Sequence, residues 1–217
     1  MVGPDLAKGN YCAVGMFSPG IEIWNLDVLD ALEPICVLGG ISTKRSKRKQ
    51  KSGLEQLVRG SHTDAIMSLS WNPIQRNMIA SGSADCTVKL WDVSAHAEDE
   101  SGELSAVATF SHHQGKVQSV EWHPSDGSIL ATGSYDKTVS IVDTRCKHGG
   151  NLARTKIPAD CEAIAWDPFH TQNITAACED GTVMCWDVRA KFGSKDGHLW
   201  SFIAHEMGGV SDIAYNR

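Results

Sequence analysis

The stretch "ASGSADCTVKLWD", Ala80–Asp92, joins a Gly-Ser-x-Asp turn signal to the alternating run "TVKLW" and closes on Trp91-Asp92. It recurs as "ATGSYDKTVSIVD", closing on Val142-Asp143, and as "AACEDGTVMCWD", closing on Trp186-Asp187, at intervals of 51 and 44 residues. Twenty residues ahead of each closing position stands a further tryptophan, Trp71, Trp122 or Trp166, at the end of "HTDAIMSLSW", "HQGKVQSVEW" and "PADCEAIAW". A weaker copy, "AVGMFSPGIEIWNLD", comes first, and "AHEMGGVSDIAYNR" begins one more.

The runs within each unit alternate apolar and polar residues and are separated by Asn-Pro, His-Pro and Asp-Gly turn signals, which reads as about four short strands per repeat and no helix. A single four-stranded unit cannot bury both of its faces. The repeats must therefore stack, and radial stacking gives a β-propeller. The expected fold is all-β: a partial propeller over 1–217 with units at about 9–40, 54–110, 111–157 and 158–204 and the start of another at 205–217.

Composition agrees with a globular chain, at 41% apolar and 21% charged residues in 217. No run approaches the roughly 18 apolar residues that span a bilayer as a helix, and Met1–Asn10 lacks the apolar stretch of a secretory signal, so no membrane partner is expected. The seven cysteines are odd in number and show no Cys-x2-Cys spacing, which points to buried free thiols and to no metal or cofactor. One segment departs from the rest. In "ISTKRSKRKQKSG", residues 41–53, Lys44, Arg45, Lys47, Arg48, Lys49 and Lys51 place six positive charges in eight residues, while the remaining 14 Lys and Arg face 26 Asp and Glu, a net of −12.

The residues "GSADCTVKLWD" resemble the WD-repeat family, whose period is about 40–45 residues. That resemblance implies a hydrogen-bonded brace in each blade, between a His ahead of the first strand, a Ser or Thr in the second, the Asp of the following turn and the Trp of the third. Here the set is His62, Ser81, Asp85 and Trp91. The next unit keeps His113, Thr132 and Asp136 but has Val142 in place of the Trp, so one bond to Thr132 is expected to be missing. The last keeps Asp180 and Trp186, with Ala176 in place of the hydroxyl and no His. A His-Ser-Asp set also suits a hydrolase, but a nucleophile is needed once and a brace in every blade, so repetition favours structure and no catalytic residue is assigned.

The same resemblance places the residues before each turn Asp, Ala84, Tyr135 and Glu179, on the top face, together with Met67, Gln118, Glu162 and Ser211, four positions ahead of each anchor aromatic. One aromatic, one Met and two carboxylates suit a basic peptide, such as a histone tail or a ribosomal-protein extension. Tyr135 is the expected anchor.

A narrower resemblance covers residues 9 to about 190. "GNYCAVGMFSPGIEIWNLDVLDALEPICVLGG", the basic run behind it, "HTDAIMSLSWN" and "GSYDKTVSIVDTR" are similar to the periodic tryptophan protein 1 family of eukaryotic WD-repeat proteins. It implies a non-catalytic scaffold of the nucleus and nucleolus, acting in ribosome biogenesis and rRNA gene transcription, with pre-ribosomal, histone and chromatin partners. Members of that family have an acidic leader and further repeats, so about four to five of a probable seven blades are expected here. Open edge strands then favour self-association, expected as an oligomer in light scattering. A second function class comes from Trp186-Asp187-Val188-Arg189, which resembles the Trp-Asp-x-Arg box of receptors that dock on a cullin-type ubiquitin ligase, with Arg189 as the contact. The basic run reads as an inter-blade surface insertion, either a nuclear address or a weak nucleic-acid tether.

Overall fold

The computed structural model describes residues 9–42, 56–94, 103–146, 151–190, 192–194 and 196–216. The basic insertion, with Lys44, Arg45, Lys47, Arg48, Lys49 and Lys51, lies outside them. Its flanks pair: Ile41 bridges Leu57 antiparallel, and Ser42 N–H donates to Gln56 O at 2.7 Å and Val58 N–H to Gly40 O at 2.9 Å.

Among the described residues sixteen strands form four four-stranded sheets, and there is no α-helix. In the second sheet β4 (Ile66–Trp71), β5 (Met78–Ser83), β6 (Val88–Asp92) and β8 (Ala108–Phe110) follow one another antiparallel. The third repeats this order with β9 (Val117–Trp122), β10 (Ile129–Ser134), β11 (Thr138–Asp143) and β12 (Asn151–Lys156). The fourth does so with β13 (Cys161–Trp166), β14 (Asn173–Cys178), β15 (Thr182–Asp187) and β16 (His198–Ile203). The first sheet differs. Its β1 (Tyr11–Gly15), β2 (Gly20–Asn25) and β3 (Cys36–Gly39) are antiparallel, and β7 (Glu103–Leu104) adds to β3 in parallel, so two residues of the 54–110 unit leave the second sheet for the first.

The turn between the second and third strands has the same conformation in three sheets. Cys86, Lys137 and Gly181 occupy one position, with φ of 67°, 62° and 84°. That is the left-handed region, which only the glycine adopts without a steric penalty.

The apolar clusters lie between sheets. Ile21, Ile23 and Leu38 pack against Ile66, Ile79 and Trp91; Val88 and Leu90 against Val117, Trp122 and Leu130; Val139 and Ile141 against Ile164, Ile174 and Trp186. Fully burying such side chains contributes roughly 1.5–3 kcal/mol each, and none could be buried by one sheet alone. A small residue in each second strand permits the approach. A Cβ on Gly15 would lie 2.8 Å from Ile66 Cγ2, one on Gly82 2.8 Å from Val117 Cγ1, and one on Gly133 would overlap Cys161 Sγ.

Inner strands of neighbouring sheets are also stitched together. Val120 N–H donates to Ser68 Oγ and Trp122 N–H to Ser70 Oγ, both at 3.1 Å, while the indole of Trp122 donates to Ser70 O at 3.1 Å. The next interface repeats this, with Ile164 N–H on Ser119 Oγ and the Trp166 indole on Glu121 O. Past β16, Val210 N–H donates to Cys178 O at 3.1 Å and Val210 and Ile213 pack on Ala163, Ala177 and Val183, so 210–215 occupies the next inner position without strand pairing. The four sheets make an incomplete propeller, and among the described residues no strand of the fourth pairs with the first.

Candidate functional site

The first candidate set is internal. His62 Nδ1 lies 2.9 Å from Asp85 Oδ2, its Nε2 lies 2.7 Å from Ser81 Oγ, and the Trp91 indole N–H donates to Ser81 Oγ at 2.8 Å. The carboxylate can only accept, so Nδ1 carries the proton and Nε2 accepts from the serine hydroxyl. Asp85 also accepts from Thr63 N–H at 2.9 Å and from Thr87 N–H and Oγ–H at 2.9 and 2.6 Å. Burial opposes its ionisation, but the bonds from His62, Thr87 and Thr63 outweigh it and hold the carboxyl well below the usual range. His62, Ser81 and Trp91 have no exposed surface.

In the third sheet His113 Nδ1 meets Asp136 Oδ2 at 2.9 Å and its Nε2 meets Thr132 Oγ1 at 2.8 Å. The bond expected to be missing where Val142 replaces Trp is present from another source: His112 Nε2 sits 3.0 Å from Thr132 Oγ1. His112 and His113 rings lie 4.3 Å apart, and Arg154 ties in the backbone by donating to His112 O. Valine cannot donate, so the adjacent imidazole takes over the role of the indole. The signal in the sequence was the His112-His113 doublet, which a single-His brace reading passed over.

Donating from Nε2 leaves His112 Nδ1 buried and without a partner. Burial, then the neighbouring His113 and Arg154, push the imidazole from 6.5 down to about 3. A depressed folded-state value means that the stabilisation is complete above pH 6.5 and is lost as pH falls toward 3. Thermal melts between pH 7 and pH 4 should therefore lose stability, and His112→Phe should make that slope shallower. An unchanged slope would place the proton uptake elsewhere.

In the fourth sheet Asp180 accepts from Thr182 N–H at 2.9 Å, and buried Trp186 packs edge-on to Phe192 with centroids 6.2 Å apart. Ala176 fills the Ser81 position, so no hydroxyl stands there.

The second candidate set lies at the rim formed by the loops ahead of the inner strands and the turns after the second strands. Three of its seven residues bond to one another, and a fourth, Glu179, lies close enough to act on Tyr135. Tyr135 Oη donates to Glu162 Oε1 at 2.6 Å, and Gln118 Nε2 donates to Glu162 Oε2 at 3.3 Å, bridging the third and fourth sheets. Gln118 Oε1 is buried and has no partner. Two residues that the sequence reading missed complete the cluster: Lys116 Nζ stands 3.8 Å from the centre of the Tyr135 ring, and Asp160 lies nearby. Burial, the bond to Glu162, and the charges of Glu162, Glu179 and Asp160 raise the Tyr135 phenol above its ordinary value. One cation thus faces three carboxylates. Met67 and Ala84 are half-buried on the second sheet and Ser211 is exposed beyond the fourth, and they do not join this cluster.

The Trp186-Asp187-Val188-Arg189 box and its weaker copy Val142-Asp143-Thr144-Arg145 differ. Arg145 is held by Asp143 at 2.6 Å, whereas among the described residues Arg189 makes no side-chain ion pair. Arg189 lines a cavity of about 430 Å³ with His123, Asp126, Ile129 and Val188. No group of three or more His, Cys, Asp or Glu that could hold a metal occurs among the described residues. Buried Cys36 and Cys178 thiols are pushed up by burial to about 11 and about 12, which keeps them protonated.

The description "WD domain, G-beta repeat" matches residues 55–92, 104–143 and 156–187. Periodic tryptophan protein 1 of Saccharomyces cerevisiae is 35% identical over 214 residues, 96% of this chain and 36% of that protein. The periodic tryptophan protein 1 homolog of Drosophila melanogaster is 35% identical, over 96% of this chain and 41% of its own length. The chain thus spans less than half the length of these relatives. A chain in a crystal structure of the mitotic checkpoint complex superposes on 93% of this one with a TM-score of 0.66 and 20% identity, and so shares the fold; it is covered over 53% of its length. With family repeats over half of its length and four sheets stitched edge to edge in the propeller manner, the chain belongs to the WD-repeat family.

Proposed function

We propose that the chain is a non-catalytic WD-repeat module that binds a basic peptide at the seam of the third and fourth sheets. The observation that carries this reading is the Tyr135–Glu162–Gln118 cluster, with Glu179 and Asp160 beside it. Half-buried Glu162 and Asp160 with exposed Glu179 form a carboxylate cluster that favours an incoming ammonium or guanidinium. The buried serine of the His62–Ser81–Asp85 set has no surface to offer a substrate, which supports a bracing role. The likeness to periodic tryptophan protein 1 supports a nuclear and nucleolar setting in ribosome biogenesis, with ribosomal-protein extensions or histone tails as the basic partner. The run Lys44–Lys51 would serve there as a nuclear address or a phosphate tether.

A second reading is favoured by the unpaired Arg189 beside its cavity: docking on a cullin-type ligase adaptor. One experiment separates the two. Fluorescence anisotropy with a Lys/Arg-rich peptide of about 15 residues should show an affinity that weakens with salt. Glu162→Gln should reduce it about 5–10-fold, roughly one charge-assisted bond, and Arg189→Ala should leave it unchanged. Binding indifferent to Glu162→Gln would sink the first reading; adaptor capture lost on Arg189→Ala would establish the second.

A further inference from the structure

The seam of the third and fourth sheets has a second end. Tyr135 follows β10, whereas Ser125 and Asp126 precede it, so the loop from β9 to β10 meets the residues after β15 on the side away from the Tyr135 rim. The cavity of about 430 Å³ lies there, floored by Ile129, Ile141 and Ala153 and faced by Ser125, Val188 and Arg189. Ligand cavities of proteins hold roughly 300–1,000 Å³.

The preceding seam shows why this one is open. The loops 71–77 and 122–128 are equal in length, so His123 stands at the position of Asn72 and Ser125 at that of Ile74. Asn72 Nδ2 donates to Gly127 O at 2.8 Å, and Ile74 leans on the same glycine, where an added Cβ would lie 3.2 Å from Ile74 Cβ. His123 repeats the first contact: its Nδ1 accepts from Ser125 N–H at 3.2 Å and its ring bonds the backbone of Thr171, which holds the Gly127 position. The second contact is not repeated. Ser125 is exposed and lacks the branched side chain that Ile74 brings, so the apolar floor is left without a cover.

The arginines of the two seams differ as well. Asp143 Oδ1 accepts from Arg145 N–H and Asp187 Oδ1 from Arg189 N–H, the same turn in both. The Arg145 guanidinium folds back onto Asp143 and also acts on Asp126. The Arg189 guanidinium does neither, and among the described residues it stands exposed at the mouth of the cavity with no carboxylate to hold.

We propose that this cavity docks an acidic segment of a partner protein, placing one aliphatic side chain on Ile129 and Ile141 and a neighbouring Asp or Glu on Arg189. The aliphatic group supplies the cover that Ile74 gives the preceding seam, and a carboxylate accepts two parallel bonds from the guanidinium fork. The acidic balance of the chain opposes such a ligand at long range only, because charges more than about 8 Å apart are screened at physiological salt. The ligase-adaptor reading also uses Arg189, but a linear segment suffices here and no adaptor enters the test, so either can fail without the other.

Fluorescence anisotropy of the full chain at physiological salt, with a labelled peptide holding Leu-Glu-Glu in a short Gly/Ser frame, should show saturable binding. Arg189→Ala should weaken it about 10-fold, as should a Leu-Gln-Gln peptide on the wild-type chain, and the two changes together should cost no more than either alone. A Ser-Glu-Glu peptide should also bind about 10-fold more weakly. Ser125→Ile restores the cover and should abolish binding with circular dichroism unchanged, while Glu162→Gln at the other end should have no effect. Absence of saturation would overturn the proposal, as would equal affinity for the Leu-Gln-Gln or Ser-Glu-Glu peptide, both read on the unaltered protein. Binding that survives Ser125→Ile would equally overturn it.

Discussion

Asp85→Ala should lower the free energy of unfolding by about 2–4 kcal/mol, against about 1 kcal/mol or less for Asp180→Ala. The two aspartates occupy one position in the repeat, so the contrast isolates what surrounds them. Asp85 accepts from His62, Thr63 and Thr87, and its removal leaves the Nδ1–H of a fully buried imidazole without an acceptor. The imidazole can then no longer hold Ser81, on which the Trp91 indole also depends. Asp180 has no histidine to hold, and its loss frees one turn N–H that water can reach. Paired urea melts decide the matter: equal losses would mean that the carboxylate closes a turn and braces nothing. Because the folded-state value of Asp85 is depressed, its contribution should be complete above the ordinary carboxylate range and be lost progressively as pH falls from that range through the depressed value.

Gly133→Ala should cost about 2–3 kcal/mol although its backbone is an ordinary strand. The new methyl would overlap Cys161 Sγ and lie 3.0 Å from Ile164 Cγ2, both on the next sheet's inner strand. Cys161 is fully buried and cannot swing aside, so the sheets must separate. Cys161→Ala deletes the overlapping atom. The double variant should therefore recover about 1 kcal/mol relative to the sum of the single changes. Strict additivity would show that the seam does not limit sheet approach. In the fourth sheet this position is not glycine: Ala177 stands there, packed against Val210 and Ile213.

The interval of the Trp-Asp closings, the Gly-Ser-x-Asp turns and the alternation around Trp71, Trp122 and Trp166 make the strands and their order legible in the chain. These are local constraints: side-chain period, turn conformation, and the need of a four-stranded unit to cover two faces. The brace residues of the second sheet are legible for the same reason, since one repeat carries them all. The first sheet was less so, because its second strand resembles a repeat whether or not an inner strand lies beside it. The parallel pairing of β7 with β3 has no local signal either.

The candidate site divides along the same line. Tyr135, Glu162 and Gln118 were marked by position within a repeat, but which of seven marked residues meet depends on two sheets approaching at one seam. Lys116 on the Tyr135 ring, Asp160 beside it, and His112 in place of a missing tryptophan come from neighbouring loops whose separation the sequence does not state. The sequence by itself determined the strands, the turns and the all-β repeat, because each follows from forces acting within a few residues. The tertiary structure alone decided which carboxylates share a seam and which histidine completes the third brace, because those depend on distances between sheets.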